Sequence, residues 1–224
     1  MGAFTIEKAN NLYWLGRYIE RVFISITAYQ DIFDRMIDGD QNAYHTFCKQ
    51  LDIDDFYFND AHFITSYLYD QENPDSIVSN LLRAYDNAVV LREEITSATL
   101  SYIQLASNVF EKMEFSEAPV LQLQRIKDDI FAFWGSVDET VDEIEKNIIK
   151  CGKYVEQVDM YFRLGYDQNK LEKSISQLNY RILGLEKVFE LEKTNQLLIE
   201  KTANYLDFVN KLNNLNSLFT VQDY

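Results

Sequence analysis

The chain has 224 residues, with 36 Asp and Glu against 21 Lys and Arg and a formal net charge of -15, and its basic residues are scattered among the acidic ones. That excludes the clustered basic face of a nucleic-acid binder and the polybasic anchor of a membrane-surface protein. With 47% hydrophobic residues but only 7 Gly and 2 Pro, the chain can bury a core and lacks the turn-formers that many short strands need, so long helices are expected.

The predicted elements follow in chain order. A first helix from Thr5 to Asp38 carries Leu12, Leu15, Gly16, Ile19, Val22, Phe23, Ile26, Tyr29, Phe33 and Ile37 on one broad face and Tyr13 and Ile24 on a second flank, so it is central. Short helices follow around Gln41 to Gln50 and Asn59 to Asp70. Asn73-Pro74 opens a helix reaching about Leu100 and, after a bend near Ser97 to Ser101, Met113. Ser116 with Pro119 starts the next, which runs to Trp134 and is broken by Gly135-Ser136. Ser136 and Glu139 then form a capping box for a helix whose Val137, Val141, Ile144, Ile148, Cys151, Val155, Val158 and Phe162 repeat at spacings of four and three, the seam of a packed partner. Two helices close the chain, Gln168 to Leu191 and Thr194 to Leu215. No linker divides them, and the expectation is one all-α, single-domain bundle of about seven helices over residues 1-224.

Several classes of site find no support. Cys48 and Cys151 lie in no metal or redox spacing and read as reduced thiols of a cytoplasmic protein. Glu7, Arg17, Glu20 and Arg21 interrupt every apolar run near the start, so neither a signal peptide nor a membrane span is expected, and Ile6 stands where a myristoylation signal wants Ser or Thr. His45 and His62 lack the Glu-x-x-His context of di-iron bundles, and no glycine-rich phosphate loop occurs. No metal or cofactor is expected.

The unusual feature is charge inside the apolar first helix, where Arg17, Glu20 and Arg21 fall within five residues. At an offset of 136 residues Gly16-Arg17-Tyr18-Ile19-Glu20-Arg21-Val22 aligns with Gly152-Lys153-Tyr154-Val155-Glu156-Gln157-Val158, a weak internal repeat of Gly, base, Tyr, aliphatic, Glu, polar and Val. One reading is a buried ion-pair network that fixes helix register, with Arg17 and Glu20 as i,i+3 neighbours, Glu20 joined to Arg92 and Glu156 to Lys153. The other is a polar pocket in which Arg17 and Arg92 hold a carboxylate or phosphate while Glu20 and Glu156 grip an amine, suited to an amino acid or peptide end.

The segment Asn11-Leu12-Tyr13-Trp14-Leu15-Gly16-Arg17-Tyr18-Ile19-Glu20-Arg21 resembles the opening signature of the bacterial alpha-E proteins, an all-helical family named for a Glu-Arg motif. Lys150 to Val158 sits where that family repeats its Gly-Arg-x-x-Glu-Arg helix, and Asp86-Asn87-Ala88 with Arg92-Glu93 resembles its Arg-Glu-Asn-Ala-Arg helix. The sequence departs from the pattern at Tyr85 and Val89, at Lys153 and at Gln157, where the family carries arginines. The resemblance implies company with circularly permuted ATP-grasp ligases and transglutaminase-like proteins, and hence a non-enzymatic accessory or substrate-handling subunit of a peptide-making system. The candidate ligand or ion-pair residues are Arg17, Glu20, Arg21, Asp86, Asn87, Arg92, Lys153 and Glu156. The rival readings are an acyl or peptidyl transferase with Glu20 or Glu156 as general base, and a structural oligomer built on the Leu and Tyr of the last two helices.

Overall fold

A computed structural model describes residues 5–112, 119–189, 194–201 and 203–219. Its helices are α1 (Ile6–Ile37), α2 (Ala43–Leu51), α3 (Asp60–Tyr69), α4 (Ile77–Val90), α5 (Ser97–Lys112), α6 (Pro119–Thr140), α7 (Glu143–Leu164), α8 (Gln168–Gly184) and α9 (Tyr205–Leu218), with a 3-10 turn over Leu185–Lys187. The described residues are thus all-helical, in nine α-helices where about seven were expected.

At 32 residues, α1 is about 48 Å long and serves as the axis of the fold. It runs parallel to α7, as the register of their contacts shows: Lys8 pairs with Glu145, Arg17 with Glu156 and Glu20 with Lys153. α4 and α6 pack antiparallel on α1, and α8 packs antiparallel on α7. On α1, Arg83 of α4 reaches Tyr18 while Glu94, just beyond α4, reaches Lys8, and in α6 Phe131 meets Phe23 and Lys127 meets Gln30. On α7, Asn147 donates to the Arg181 carbonyl of α8 while Gln157 accepts from Ser174. α9 closes the bundle, with Phe208 stacked on Phe162 and Tyr13 donating to Asn216. An aromatic cluster of Tyr29, Tyr44, Phe47, Phe63 and Tyr67 fills the end under α2 and α3.

Several predicted boundaries are corrected. The helix expected from Pro74 to Leu100 and beyond opens later, at Ser76, whose hydroxyl accepts from the Ser79 N–H, and stops at Val90. Leu91 and Ile95 bury their side chains through a tight turn, and Thr96 then caps α5 by accepting from the Thr99 N–H. Conversely, Gly135-Ser136 breaks nothing, and the Ser136 and Glu139 capping box does not form. Phe133, Trp134 and Val137 are all buried, Ser136 hydrogen-bonds Thr99 across to α5, and a glycine in a helix interior costs only about 1 kcal/mol. α6 therefore continues to Thr140, so Val137 and Val141 precede α7 instead of sharing its seam. α7 starts after Asp142, with Glu143 and Glu145 in its first turn, where the helix dipole favours acids. It ends on Gly165, whose positive φ of 68° is the left-handed cap that glycine adopts without strain. α8 ends at Gly184, short of the expected Leu191, and the last helix starts at Tyr205, not Thr194, with a capping box of Asn204 and Asp207. The expected helix limits at Met113, Ser116 and Leu191 lie outside the described residues.

Candidate functional site

The centre of the molecule is the line where α1 touches α7. A Cβ built on Gly16 would overlap the Ile149 carbonyl oxygen, and one on Gly152 would overlap the Tyr13 carbonyl oxygen. Each helix therefore lays its backbone directly on the other, and only glycine fits at either point. The next turn of each helix is then held close to its partner, and the charged residues meet there.

Glu156 receives Arg17 and Arg21 from α1. Arg17 Nε donates to Oε2 at 2.8 Å and Arg21 Nε to Oε1 at 2.6 Å. Glu20 receives the corresponding residues of α7: Lys153 Nζ stands 3.8 Å from Oε2 and Gln157 Nε2 donates to Oε1 at 2.6 Å. The contacts are reciprocal at the 136-residue offset, each glutamate being met by the residues that follow its partner's glycine by one and five positions. The side chains of Glu156, Glu20 and Arg17 are 1%, 2% and 8% exposed. Arg17 also lies over the Trp14 ring at 4.5 Å, and Lys153 over Trp134 at 4.1 Å.

The two halves share a geometry but not a charge balance. Burial pushes Glu156 up, yet the two guanidinium groups outweigh it and hold the carboxyl below its ordinary pKa. Burial also pushes Glu20 up, and there Lys153 and the neutral Gln157 fail to offset it, so its pKa stays raised. Lys153 is itself lowered, by burial that Glu20 only partly counters. The signs of the pH effects follow. Between the ordinary carboxylate range and Glu20's raised value, the folded state holds a proton the unfolded chain has lost, so this group's contribution to stability falls as pH rises. For Glu156 the unfolded chain holds the extra proton below the ordinary range, so its contribution falls as pH drops there. Gln157 borders a groove of about 450 Å³ between α7 and α8, which has room for a longer side chain. Gln157→Arg is expected to bring Glu20 below its ordinary value and abolish its downward slope of stability with pH. Urea unfolding of both proteins from about pH 4 to 7 checks this, and parallel curves would refute it.

The predicted site residues divide into two groups. Arg17, Glu20, Arg21, Lys153 and Glu156 come together, but not in the pairs expected. Arg17 and Glu20 do not bond along α1, because each has a partner on α7, and Glu156 takes two arginines instead of Lys153. Asp86 and Asn87 lie on α4, Asp86 on its exposed side, and Arg92 is exposed in the turn after it. The expected Glu20 to Arg92 link and the pocket shared by Arg17 and Arg92 are absent. The sequence reading also passed over Trp134 and Ser174, which join this network from α6 and α8. Cys48 and Cys151 are buried with thiols pushed up to about 12, and His45 bonds Asp55 at the surface. Among the described residues no three His, Cys, Asp or Glu are grouped to hold a metal ion, and no helix is long and apolar enough to cross a membrane.

An all-helical protein built around Glu and Arg side chains at a helix crossing is the class these features define. The chain belongs to the Alpha-E family, whose model, that of a predicted alpha-helical domain with a conserved ER motif, matches residues 7–205. No curated protein and no solved structure matches it.

Proposed function

We propose that this protein performs no chemistry of its own and serves in the cytoplasm as a substrate-handling subunit of a peptide-making system, partnered with a circularly permuted ATP-grasp ligase. The observation that carries the non-catalytic part is the closure of the Glu-Arg centre. A general base must come within about 2.6–3.2 Å of the proton it removes, whereas Glu20 and Glu156 are enclosed between α1 and α7 and committed to cations and amides of the same chain. The reciprocal Gly16 and Gly152 contacts favour descent of α1 and α7 from one duplicated unit, a scaffold held by paired charges. The ligase partner rests on the resemblance of the three motif segments to the alpha-E pattern, and an amino acid or peptide is the cargo such a subunit would carry.

The test is affinity purification of the tagged chain from its own cells, with mass spectrometry of what accompanies it, for wild type and Glu20→Gln. An ATP-grasp ligase recovered with both proteins is the expected result. Its absence from the wild-type sample overturns the partnership, and a peptidyl transfer activity that Glu20→Gln abolishes in a folded protein would restore the enzymatic reading.

A further inference from the structure

Outward of Arg21, on the side of α1 away from Glu20, lies a cavity of about 200 Å³. Sites that take drug-sized ligands run from about 300 Å³ upward, so its occupant is small. Five segments wall it: α1 with Arg21 and Ser25, the end of α2 with Asp52, α3 with Tyr67, the turn before α4 with Asp75, and α7 with Arg163. Polar side chains of both signs thus face one partly open cavity, drawn together from distant parts of the chain.

Their existing bonds leave specific capacity. Arg21 spends its Nε on Glu156, and its two terminal nitrogens make no hydrogen bond among the described residues. Arg163 donates Nε to Asp159 and one terminal nitrogen to the Leu51 carbonyl, which fixes its plane at the cavity wall. The Asp75 carboxylate has no hydrogen bond or ion pair among the described residues, although its backbone N–H is tied to Asn73. Ser25 is buried, with the Tyr67 hydroxyl beside it.

We infer that this cavity binds a free α-amino acid, its carboxylate on Arg21 and its ammonium group on Asp75. An anion alone would leave Asp75 facing negative charge, and an amine alone would leave Arg21 facing positive charge, so a small zwitterion is the ligand that satisfies both. Burial raises the pKa of Asp75, an effect that Arg21 and Arg83 only partly offset, and an ammonium group beside it acts in the opposite direction by favouring the carboxylate. Ser25 and Tyr67 add neutral hydrogen-bonding groups, and Arg163 a second positive wall near the carboxylate end. This deepens the substrate-handling role proposed above by naming the class of cargo, and it is read on the isolated chain, so it fails or succeeds separately from ligase copurification.

The experiment is titration calorimetry of the full chain with each of the common L-amino acids. Every one that binds is then compared with its analogue lacking the amine, with its amide lacking the carboxylate, and with inorganic phosphate. Wild type should bind at least one amino acid and lose about tenfold or more in affinity for either analogue. Asp75→Asn, which disturbs no side-chain bond, should lose about tenfold or more for the amino acid while binding the amine-free analogue unchanged. No binding of any amino acid up to about 10 mM, equal affinity for phosphate, or an Asp75→Asn effect that is absent or equal for both ligands would each overturn the assignment.

Discussion

Alanine in place of Gly16 or of Gly152 is expected to destabilise this protein by about 3 kcal/mol or more, at the upper end of overpacking effects. At most positions a methyl group finds a flexible neighbour that can turn aside, but here it meets a carbonyl oxygen of the facing helix, with Lys153 or Arg17 backbone close behind. The only relief is for α1 and α7 to separate, which lengthens the bonds that both glutamates receive one turn further along. Gly135, in the interior of α6 with open space where a Cβ would stand, is the control: alanine there should be neutral or stabilise by up to about 1 kcal/mol. Urea midpoints of the three variants provide the check. If Gly16→Ala tolerates urea as well as Gly135→Ala does, the close crossing described above is wrong.

Glu156→Gln should cost about 3–5 kcal/mol at neutral pH, the usual loss when one partner of a buried ion pair is removed. It leaves Arg17, almost wholly enclosed, and Arg21 with no opposite charge at their Nε groups. The equivalent change on the other side, Glu20→Gln, should cost far less, because Gln157 can still bond an amide and Lys153 keeps its place over Trp134. The comparison of the two variants by chemical denaturation is sharper than either alone. Equal losses would mean that the two carboxylates carry the same burden, contrary to the unequal shifts of their pKa values.

The long amphipathic segments were legible in the sequence because their periodicity is a direct record of burial. Leu12, Leu15, Ile19, Val22 and Ile26 line the buried side of α1, and Ile148, Cys151, Val155 and Val158 that of α7. Breaks were less legible. The turn after Val90 contains no Gly or Pro and is specified by Thr96 and by the burial of Leu91 and Ile95, whereas Gly135 looks like a break and is overruled by packing on α5. The motif residues were identifiable from charges placed inside an apolar helix, but their partners were not. The sequence suggests Arg17 and Glu20 as i,i+3 neighbours along α1 and a link from Glu20 to Arg92, neither of which forms, because the contacts made across a parallel neighbour depend on where the glycines let the backbones touch. The cavity beside Arg21 left still less trace, since Ser25, Tyr67, Asp75 and Arg163 share no spacing and meet only after the bundle has closed.

The parallel pairing of α1 with α7 also sets the order in which the molecule can be assembled during synthesis. Arg17 and its counter-ion Glu156 are 139 residues apart, so at the usual pace of translation roughly ten seconds or more separate their appearance. In that interval α2, α3 and α4 are already available to fold back on one side of α1, while the Gly16 face, with Arg17 and Arg21 still unpaired, stays open until α7 has been made. Closure of so long a loop belongs among the late and slow events of folding, and the nascent chain carries until then an exposed apolar stripe with Arg17, Glu20 and Arg21 at its middle, all three without their α7 partners.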